Sequence, residues 1–368
     1  MTTKLCLVAG ARPNFSKIAP LIRALQARPK DLDYTLVHTG QHYDAQMSDV
    51  FFSDLGIPAP DVSLECGGGT HAEQTAKIMM AFEKHLQADR PDWVVVVGDV
   101  NSTLACSIVA KKLQINVAHI EAGLRSGDRA MPEEINRMVT DSISDLFFTT
   151  EPDGQLNLLR EGQDAAKIHF VGNLMIDNLY YQLEKMSSVA DSELDPDGLR
   201  QKLLANSDRF GAVTLHRPSN VDVPEKLTEL IEAINGIAEK LPLIFPAHPR
   251  THNALKSLGI QTHKNLLITE PLSYMKFLNL WRDAAVVVTD SGGLQEETTA
   301  LGIPCVTARE STERPITLTQ GSNVLAGANK EKVLAYAIDA LGQGRSDKRP
   351  ELWDGKAATR IAEIFANQ

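Results

Sequence analysis

The segment "DWVVVVGDVNSTLACSIVAKKLQINVAHIEAG", residues 92–123, contains a complete strand–helix–strand unit. An unbroken apolar run at residues 93–97 is followed by a helical stretch near 102–113 and by a second apolar run at residues 116–120. Strands with one face in water alternate apolar and polar residues, whereas unbroken apolar runs indicate strands that are buried on both faces. The segment therefore predicts a parallel sheet covered by helices on both sides.

Strands and helices continue to alternate on either side of this segment. Further strands are predicted in "KLCLVAG" (4–10), "YTLVHTG" (34–40), "FGAVTLHR" (210–217), "PLIFPAH" (242–248), "NLLITE" (265–270), "AAVVVTD" (284–290) and "IPCVTA" (303–308). The predicted helices include one that buries Ile18, Leu21, Ile22 and Leu25, one that starts at the capping box Thr70–Glu73 and buries Ala72, Ala76, Met79, Phe82 and Leu86, one with Leu227, Leu230, Ile231, Ile234 and Ile237, and one near 294–301. The polar segment 185–198 is rich in turn residues and is predicted to be a linker or a mobile surface segment.

The length of 368 residues and this alternation predict an α/β protein with two Rossmann-like domains facing a central cleft. We expect an N-terminal domain at residues 1–170 and a C-terminal domain at residues 171–354. In such folds, ligands bind beyond the carboxyl ends of the strands. The residues that follow each predicted strand are therefore the candidates for a functional site.

The composition argues against several classes of partner. The chain has 37 Lys and Arg against 47 Asp and Glu, a net charge of −10 and a pI near 5.5, which disfavours nucleic acids and anionic membranes as partners. Its four cysteines are far apart and form no CxxC pair, which indicates free, mostly buried thiols in a reducing compartment. Because no apolar run has the length of a signal peptide or a membrane span, we expect a cytoplasmic protein.

An anion site is predicted in "AAVVVTDSGGLQEETTALGIP", residues 284–304. The strand ends at Asp290, and the Ser-Gly-Gly sequence at 291–293 is expected to turn tightly into a helix that begins near Leu294. Exposed backbone N–H groups and the positive end of a helix suit a diphosphate, and Glu297 lies within reach of a ribose diol. The alternative is a bare tight turn, since the segment contains neither the Walker lysine motif nor GxGxxG.

Basic residues follow other predicted strands. In "VAGARPNFSK", Arg12 could clamp phosphate oxygens with two hydrogen bonds, and Lys17 lies near the next helix start. A solvated helix lysine is the alternative for Lys17. His216 and Arg217 follow a strand of the second half, and Arg314 lies in a later loop that also follows a strand. A histidine in such a position is as often structural as catalytic.

One pair of histidines has the spacing of a zinc site. His248 and His252 are four residues apart. Pro249 between them disfavours a continuous helix, and no HExxH motif is present. No metal site is therefore predicted.

Three acidic residues near the opening segment are candidates for acid–base chemistry. Asp99 and Glu121 each follow a strand of the same predicted sheet, so both can face the cleft. Glu133 follows Pro132 at a predicted helix start, where an acid also favours the helix dipole. Carboxylates beside cations such as Arg137 can remove and return a proton while the cations hold a leaving anion. A structural network of ion pairs explains the same spacing equally well.

These residues lie in motifs that resemble the non-hydrolysing UDP-N-acetylglucosamine 2-epimerase family. The matching segments are "GARPNFSKIAPL", "HTGQH", "GDVNSTLA", "HIEAGLRSGD", "PEEINR", "VGN", "TLHRPSN", "TDSGGLQEE", "LGIPCV" and "TERP", in the same order over nearly the whole chain. The resemblance implies a glycosyltransferase-B fold, in which a C-terminal helix at residues 355–368 crosses back onto the first domain. It also implies that the C-terminal domain binds the nucleotide of a UDP-sugar.

The resemblance further implies a reversible epimerisation at C2 of UDP-N-acetylglucosamine, which yields UDP-N-acetylmannosamine. The enzyme takes the proton from C2 while UDP leaves C1, which gives 2-acetamidoglucal and UDP. Re-addition after proton return to the other face then gives the epimer. No redox cofactor or metal is required. A homodimer with a place in polysaccharide biosynthesis is expected.

Individual roles follow from the match to the family's motifs. The implied catalytic residues are Asp99, Glu121, Glu133 and His216, with His216 in contact with the diphosphate. The implied substrate-binding residues are Arg12, Lys17, Arg137, Phe277, Ser291, Gly292, Gly293, Glu297 and Arg314. Among these, residues 291–293 would cradle phosphate, Glu297 would bind the ribose and Phe277 would pack near uracil.

The chain departs from the family's pattern at three places. Asn14 stands where many members have Glu, Pro218 replaces a frequent second arginine, and the loop at 128–132 is shorter than in many bacterial members. Some bacterial members bind a second UDP-N-acetylglucosamine as an activator near the segment that corresponds to residues 41–42. The departures argue against such a site in this chain.

Four other activities remain open at the level of sequence. They are C2 epimerisation of UDP-2,3-diacetamido-glucuronic acid, a hydrolysing epimerase that releases free N-acetylmannosamine and UDP, a glycosyltransferase of the same fold and a non-catalytic nucleotide-sugar sensor. The group of three acids argues against the transferase, because retaining transferases need less acid–base machinery at this edge. The acids together with His216 argue against the sensor.

Overall fold

The computed structural model describes residues 2–41 and 49–368. The chain divides into two compact units, Met1–Tyr180 together with Glu351–Gln368, and Tyr181–Pro350. The strands are β1 Thr3–Ala9, β2 Leu32–His38, β3 Val62–Ser63, β4 Trp93–Val97, β5 Asn116–Ile120, β6 Leu146–Thr149, β7 Ile168–Phe170, β8 Gly211–Thr214, β9 Leu243–Pro246, β10 Leu266–Thr269, β11 Val287–Thr289, β12 Cys305–Thr307 and β13 Asn323–Leu325. The helices are α1 Arg12–Gln26, α2 Asp49–Leu55, α3 His71–Ala88, α4 Asn101–Lys112, α5 Pro132–Ile143, α6 Pro152–Arg160, α7 Leu174–Met186, α8 Asp191–Leu194, α9 Leu199–Leu204, α10 Pro218–Val221, α11 Pro224–Ala238, α12 Pro249–Ser257, α13 Tyr274–Trp281, α14 Gly292–Leu301, α15 Ile316–Thr319, α16 Lys330–Gln343 and α17 Ala357–Ala366, and a 3-10 turn, Ala165–Lys167, precedes β7.

Each unit is built on a parallel sheet. The strand order is β3-β2-β1-β4-β5-β6-β7 in the first unit and β10-β9-β8-β11-β12-β13 in the second. In both sheets the chain runs outward from a central strand, returns to its other side and continues outward, so the order reverses between β1 and β4 and between β8 and β11. The predicted class, an α/β protein with two Rossmann-like units, is confirmed. Ligands of open α/β sheets bind at such reversals, beyond the carboxyl ends of the strands.

Helices on both faces of the first sheet explain its unbroken apolar strands. Leu5 and Val95 belong to a core that also contains residues of α1 and α17, whereas Cys6 and Val94 belong to a second core with Phe82 of α3. Successive residues of a strand therefore enter opposite cores. In such a strand every position is apolar, as the segment at 93–97 shows.

The helix α17 completes the core of the first unit, although it lies at the end of the chain. The buried ring of Phe365 packs edge-on against Trp93 at 5.8 Å and against Phe148 at 5.5 Å. The carboxylate of Asp177 accepts hydrogen bonds of 3.1 and 2.7 Å from the first two N–H groups of this helix. Burial raises the pKa of Asp177 to about 6. Aromatic packing and this cap together fix α17 on the first unit.

The second unit has a core of its own, to which α11 contributes most. The five residues predicted for the inner face of this helix are all buried. Among them, Leu227 and Ile231 share a core with Val213 of β8, Val288 of β11 and Val333 of α16. The helical period read from the sequence is confirmed for this element.

One predicted helix face is confirmed only at Phe82 and Leu86. The helix α3 starts at the predicted capping box, but its buried residues are Gln74, Ile78, Phe82 and Leu86. Of the residues predicted to line this face, Ala72 and Ala76 are exposed and Met79 is half-buried. A glutamine can occupy the inner face because its amide donates a 2.9 Å hydrogen bond to the backbone carbonyl of Gln41. The burial of a satisfied polar side chain shifted the face relative to the apolar pattern.

The polar segment 185–198 does not link the two units. It lies inside the second unit and contains the end of α7 and the short helix α8, with Leu194 buried. The boundary between the units falls within α7, between Tyr180 and Tyr181. The turn-rich composition of residues 185–198 reflects an irregular surface segment. The connection between the units is the continuous helix α7.

The cysteines confirm their prediction as free, buried thiols. All four are unpaired and buried, and burial raises the pKa of Cys305 to about 11. Within residues 2–41 and 49–368, no helix is both long enough and apolar enough to cross a bilayer.

Candidate active site

The first part of the candidate site lies where β1 and β4 end. Asn14, in the first turn of α1, connects the two ends. Its Oδ1 accepts from the N–H groups of Gly10 (3.1 Å) and Ala11 (2.9 Å), and its Nδ2 donates to the carbonyl of Val97 (3.3 Å). An amide accepts and donates at once, whereas an ionised glutamate could only accept. The asparagine therefore fits the hydrogen bonds of this chain at a place where the resembling family often has glutamate.

Lys17 and Glu121 form a shielded ion pair beside the end of β4. Lys17 Nζ lies 2.6 Å from Glu121 Oε2, and the two side chains are only 15% and 5% exposed. A Cβ built on Gly98 would lie 3.4 Å from Lys17 Nζ and 3.6 Å from Glu121 Oε2, so this glycine borders both groups. The interpretation of Lys17 as a solvated helix lysine is wrong.

The backbone of Glu121 is in an unusual conformation. Its φ is +67°, in the left-handed region. This conformation costs a non-glycine residue roughly 1–2 kcal/mol and is found disproportionately at functional sites. The turn after β5 therefore holds this carboxylate at an energetic cost that the surrounding contacts must offset.

Asp99 is held by Arg137 of α5. Asp99 Oδ2 accepts from Arg137 Nε at 3.0 Å and from Nη2 at 2.7 Å. The same guanidinium donates a 2.5 Å hydrogen bond to buried Glu134, which also accepts from the backbone N–H groups of Ser126 and Gly127. Burial alone would raise the pKa of Glu134, but these donors bring it below its usual value. Glu134 therefore connects Arg137 to the loop after β5.

Glu133 and Arg12 lie at helix starts. Glu133 is the second residue of α5, is half-buried and precedes Arg137 by one helical turn on the same face. Arg12 is the first residue of α1 and is exposed. The structure thus pairs Asp99 with Arg137 and Glu121 with Lys17.

Besides these two ion pairs, the first unit contains a fully buried pair formed by a histidine and an aspartate. His119 and Asp141 are both 0% exposed, and His119 Nδ1 lies 2.7 Å from Asp141 Oδ1. His119 Nε2 lies 2.8 Å from the carbonyl oxygen of Gly98. Arg125 lies 2.8 Å from Asp141 Oδ2, and the pKa of Asp141 is low despite burial because His119 and Arg125 favour its charged form. Through the contact of His119 with Gly98, this buried pair touches the turn that carries Asp99 from inside the protein.

In the second unit, Asp290 organises the turn after β8. Its buried carboxylate accepts from the backbone N–H groups of His216 (3.1 Å) and Arg217 (3.0 Å) and from Asn220 Nδ2 (3.1 Å). His216 Nδ1 lies 2.9 Å from Asp290 Oδ1, and the imidazole is 55% exposed. Burial would raise the pKa of Asp290, but His216 and the N–H groups lower it. With Nδ1 against Asp290, Nε2 is the nitrogen that can reach a ligand.

The helix α14 begins earlier than predicted. Ser291 is its N-cap, and its Oγ accepts from the N–H of Leu294, so Gly292 and Gly293 are the first two helical residues and do not form a separate turn. The first N–H groups of a helix have no acceptor within it and attract anions. A Cβ built on Gly292 would meet no atom within 4 Å, which leaves open space beside this helix start.

One turn later, two acidic side chains of α14 have separate partners. The hydroxyl of Tyr274 donates a 2.6 Å hydrogen bond to Glu297. Arg314 Nε lies 2.7 Å from Glu296 Oε1. Burial and the neighbouring Glu296 raise the pKa of Glu297 to about 7, although the Tyr274 bond opposes this. Half-buried Phe277 lies one turn after Tyr274 on α13, on the same helix face.

The remaining candidates are not assembled into a site. His248 caps α12, where its Nδ1 accepts from the N–H of Arg250, and His252 lies within that helix. Over the part of the chain that the structure describes, no group of three or more His, Cys, Asp or Glu could hold a metal. Of the segment 41–42, Gln41 Oε1 accepts from the N–H of Ser102 at 2.9 Å. His42 lies outside the described residues.

Sequence reasoning missed several residues of these clusters. They are His119, Glu134, Asp141, Tyr274, Glu296 and the carboxylate of Asp290. Helical spacing offered one signal, because Glu134 and Arg137 are three residues apart on α5 and can pair on one face. His119 and Tyr274 offered none, since their partners are distant in sequence.

Parallel sheets with polar clusters at the reversal of strand order define a doubly wound α/β protein whose candidate ligand site lies beyond the carboxyl ends of the strands. A model of the UDP-N-acetylglucosamine 2-epimerase family matches residues 23–366. The chain is 42% identical to the UDP-N-acetylglucosamine 2-epimerase of Methanocaldococcus jannaschii, over 98% of each chain. It is 40% identical to the UDP-2,3-diacetamido-2,3-dideoxy-D-glucuronate 2-epimerase of Pseudomonas aeruginosa, over 99% of each chain.

Solved structures agree with these matches. The crystal structure of the M. jannaschii UDP-GlcNAc 2-epimerase in complex with UDP-GlcNAc and UDP has a TM-score of 0.83 and 41% identity, over 100% of both chains. The chain therefore belongs to the UDP-N-acetylglucosamine 2-epimerase family, whose members are isomerases. The resemblance drawn from the motifs is confirmed, and with it the glycosyltransferase-B type of fold.

Proposed function

We propose that this protein interconverts UDP-N-acetylglucosamine and UDP-N-acetylmannosamine by reversible elimination and re-addition of UDP. The observation that carries the proposal is the pair of carboxylates after β4 and β5, each held against a cation, Asp99 by Arg137 and Glu121 by Lys17. Ionised carboxylates can take and return a proton, and the cations favour the developing negative charge of a leaving diphosphate. The names of the relatives from M. jannaschii support the same substrate.

The first unit supplies the proton chemistry in this proposal. A carboxylate among Asp99, Glu121 and Glu133 takes the C2 proton. The electrons of the C2–H bond form the C1–C2 double bond, and the C1–O bond breaks with its electron pair on UDP. Proton return to the other face of C2 and attack of UDP on C1 complete the epimerisation. Arg12, Lys17 and Arg137 contact the substrate and stabilise its anionic groups.

The second unit holds the nucleotide. Ser291, Gly292 and Gly293 bind the diphosphate at the start of α14, with the open space beside Gly292 in support. His216 donates from Nε2 to a phosphate oxygen, while Asp290 orients its ring. Glu297 accepts from the ribose hydroxyls, Phe277 packs on the uracil, and Arg314 adds a polar contact. No cofactor takes part in this scheme.

A second candidate substrate comes from the relative in P. aeruginosa. At 40% identity, that 2-epimerase of UDP-2,3-diacetamido-2,3-dideoxy-D-glucuronate is nearly as similar to this chain as the relative from M. jannaschii. Both substrates present the same C2 proton and the same UDP leaving group, so the acids and the nucleotide site fit either one. The sugar substituents at C3 and C6 separate them. The homodimer, the cytoplasmic location and the place in polysaccharide biosynthesis stay predictions.

Deuterium incorporation tests the proposal. The protein is incubated with each UDP-sugar in deuterated water without an acceptor, and C1 and C2 are followed by NMR. We expect deuterium at C2 of the epimer with UDP still attached at C1, and the same gluco–manno mixture from either side. A hydrolysing epimerase would instead release UDP and the deuterated free sugar. A glycosyltransferase or a sensor would leave C2 protonated.

The panel also identifies the substrate. If deuterium appears only in the diacetamido uronate, the proposed mechanism stands and this sugar, not UDP-N-acetylglucosamine, is the substrate. The absence of label in every UDP-sugar would contradict the epimerase proposal itself.

A further inference from the structure

The buried pair His119–Asp141 contacts both backbone segments that carry the proposed acids. His119 Nε2 lies 2.8 Å from the carbonyl oxygen of Gly98, the residue before Asp99. Asp141 Oδ2 accepts a 3.0 Å hydrogen bond from the N–H of Gly123, two residues after Glu121. One pair of side chains thus connects the turn after β4 with the turn after β5.

Both ring nitrogens of His119 are in hydrogen bonds. A carbonyl oxygen can only accept, so Nε2 carries a hydrogen and donates to Gly98. Nδ1 lies 2.7 Å from Asp141 Oδ1, while Asp141 Oδ2 accepts from the N–H of Gly123 and contacts Arg125. Neither ring nitrogen lacks a partner, and no solvent reaches the ring.

The charged groups next to His119 are paired. Asp141 lies between His119 and Arg125, and Arg125 forms a two-pronged pair with Glu161, with contacts of 2.9 and 2.6 Å. These contacts run from buried His119 to exposed Glu161 at the surface. A buried charge is tolerated where it is paired and hydrogen-bonded in this way.

The two turns need such support because their backbones are strained or tightly packed. Gly98 has φ of +69° and Glu121 has φ of +67°. Gly123 has φ of +78°, and a Cβ at this position would lie 2.2 Å from the carbonyl oxygen of Gly154. Glu121 pays for a left-handed conformation that glycine adopts freely. Hydrogen bonds at Gly98 and Gly123, on either side of the two acids, hold these conformations.

We propose that the His119–Asp141 pair is a positioning unit for the epimerisation, which fixes Asp99 and Glu121 through the backbone at Gly98 and Gly123. The inference rests on the proposed function, because it assigns these two acids to proton transfer. His119 and Asp141 do not touch the substrate. Their effect reaches the reaction through the placement of the carboxylates, for which an error of about 1 Å can cost on the order of a hundredfold in rate.

Two neutral amides at position 119 separate the contacts. In His119→Asn the amide nitrogen replaces Nδ1 and can still donate to Asp141, but it cannot reach Gly98. In His119→Gln the amide nitrogen replaces Nε2 and can still donate to Gly98. His119→Asn therefore keeps the Asp141 contact and loses the Gly98 contact, whereas His119→Gln keeps the Gly98 contact and loses the Asp141 contact, so the two variants compare one contact with the other. His169→Asn, on the edge strand β7, is the matched control.

We expect His119→Asn to lower kcat by roughly thirty- to a hundredfold, with KM for the UDP-sugar and UDP affinity within about threefold of the wild type. His119→Gln should retain at least about five times the kcat of His119→Asn. A purely structural role would lower the folded fraction and leave the kcat of each folded molecule unchanged. A kcat of His119→Asn within about threefold of the wild type would overturn the proposal.

A spectroscopic measurement on the wild type tests the two contacts directly. Nitrogen-15 NMR of the imidazoles should show both ring nitrogens of His119 in hydrogen bonds, with the signals assigned by their loss in His119→Gln. A ring nitrogen without a hydrogen bond would refute the positioning unit. If the wild type exchanges no C2 proton in any UDP-sugar, the proposed function fails and this inference with it. Normal exchange in both the wild type and His119→Asn overturns the positioning role alone.

Discussion

At the scale of single residues, Glu297 combines burial with a proposed binding role, and its burial has a stability cost. Its pKa is raised from 4.5 to about 7 in the folded protein. The folded state therefore favours the neutral acid. The stability that this group contributes is present below pH 4.5 and is lost as the pH rises through about 7. At pH 8 the buried carboxylate thus lowers the free energy of unfolding.

We expect Glu297→Gln to change the free energy of unfolding more favourably at pH 8 than at pH 4, by about 3 kcal/mol. The same change should weaken UDP binding roughly ten- to a hundredfold, because a charge-assisted hydrogen bond to the ribose is lost. Urea unfolding at both pH values and UDP titration measure the two effects. Glu229→Gln, an exposed glutamate of the same unit, is the control. A variant that binds UDP as well as the wild type would place the ribose elsewhere.

The three proposed acids give a second prediction at this scale. Asp99→Asn, Glu121→Gln and Glu133→Gln keep the size of the side chain and remove its basicity. Each should lower turnover by about a hundredfold or more, with a much smaller change in KM. Steady-state rates and C2 deuterium exchange should fall together, since both require the same C–H cleavage. Exposed Glu83→Gln on α3 serves as the control. Near-normal turnover in all three acid variants would remove the assignment of proton transfer.

Some residues of the site could be inferred from the sequence, because post-strand positions in an α/β protein are few and polar residues there are conspicuous. Asp99, Glu121 and His216 belong to this group. Lys17 was less accessible to such reasoning, since only the fold reveals that Glu121, 104 positions away, lies 2.6 Å from it. His119 sits in an apolar strand, where a pattern of hydropathy cannot distinguish a packed histidine from one that bonds to a buried acid.

At the scale of elements, strands and long helices were predictable because their apolar periods reflect which faces are buried. The sequence Ser-Gly-Gly favours a turn and so predicts a later start of α14, whereas Ser291 acts as the N-cap and the glycines adopt helical geometry. Weak helix propensity of glycine was overridden by capping and by the packing of the rest of the helix. The face of α3 shifted for a similar reason, since buried Gln74 finds its hydrogen-bond partner only in the folded chain.

The helix α17 offers a test of element packing. Phe365 is fully buried and packs against Trp93 and Phe148, so Phe365→Ala removes a large apolar contact. We expect a loss of about 3–5 kcal/mol in the free energy of unfolding of the first unit. Glu363→Ala, an exposed position on the same helix, should change it by less than about 0.5 kcal/mol. Denaturant unfolding followed by tryptophan fluorescence measures both. Equal effects of the two substitutions would contradict the packing described for α17.

At the scale of the whole molecule, the chain leaves the first unit within α7, builds the second unit and returns to finish the first. Residues Glu351–Gln368 belong to the first unit, while the predicted nucleotide site lies entirely within Tyr181–Pro350. The apolar period of the tail predicts its helix. The boundary between the two units could not be predicted, because it lies within the regular helix α7, which has no distinctive composition. This arrangement makes the two units separable by a single change at the C-terminus.

A chain that ends at Pro350 tests this arrangement. It lacks the aromatic packing of Phe365 and the first turn of α17 that Asp177 caps. Loss of a whole core helix exceeds what a domain with a net stability of about 5–15 kcal/mol can tolerate, so the first unit should unfold. The second unit keeps its own core and the residues proposed to hold the uridine and the diphosphate, so it should still bind UDP, although more weakly than the full chain because Arg12, Lys17 and Arg137 are lost. Limited proteolysis with mass spectrometry should show cleavage confined to residues before Tyr180, and C2 exchange should disappear. Retained exchange would show that α17 is dispensable for the first unit, and loss of UDP binding would show that the nucleotide depends on residues outside the second.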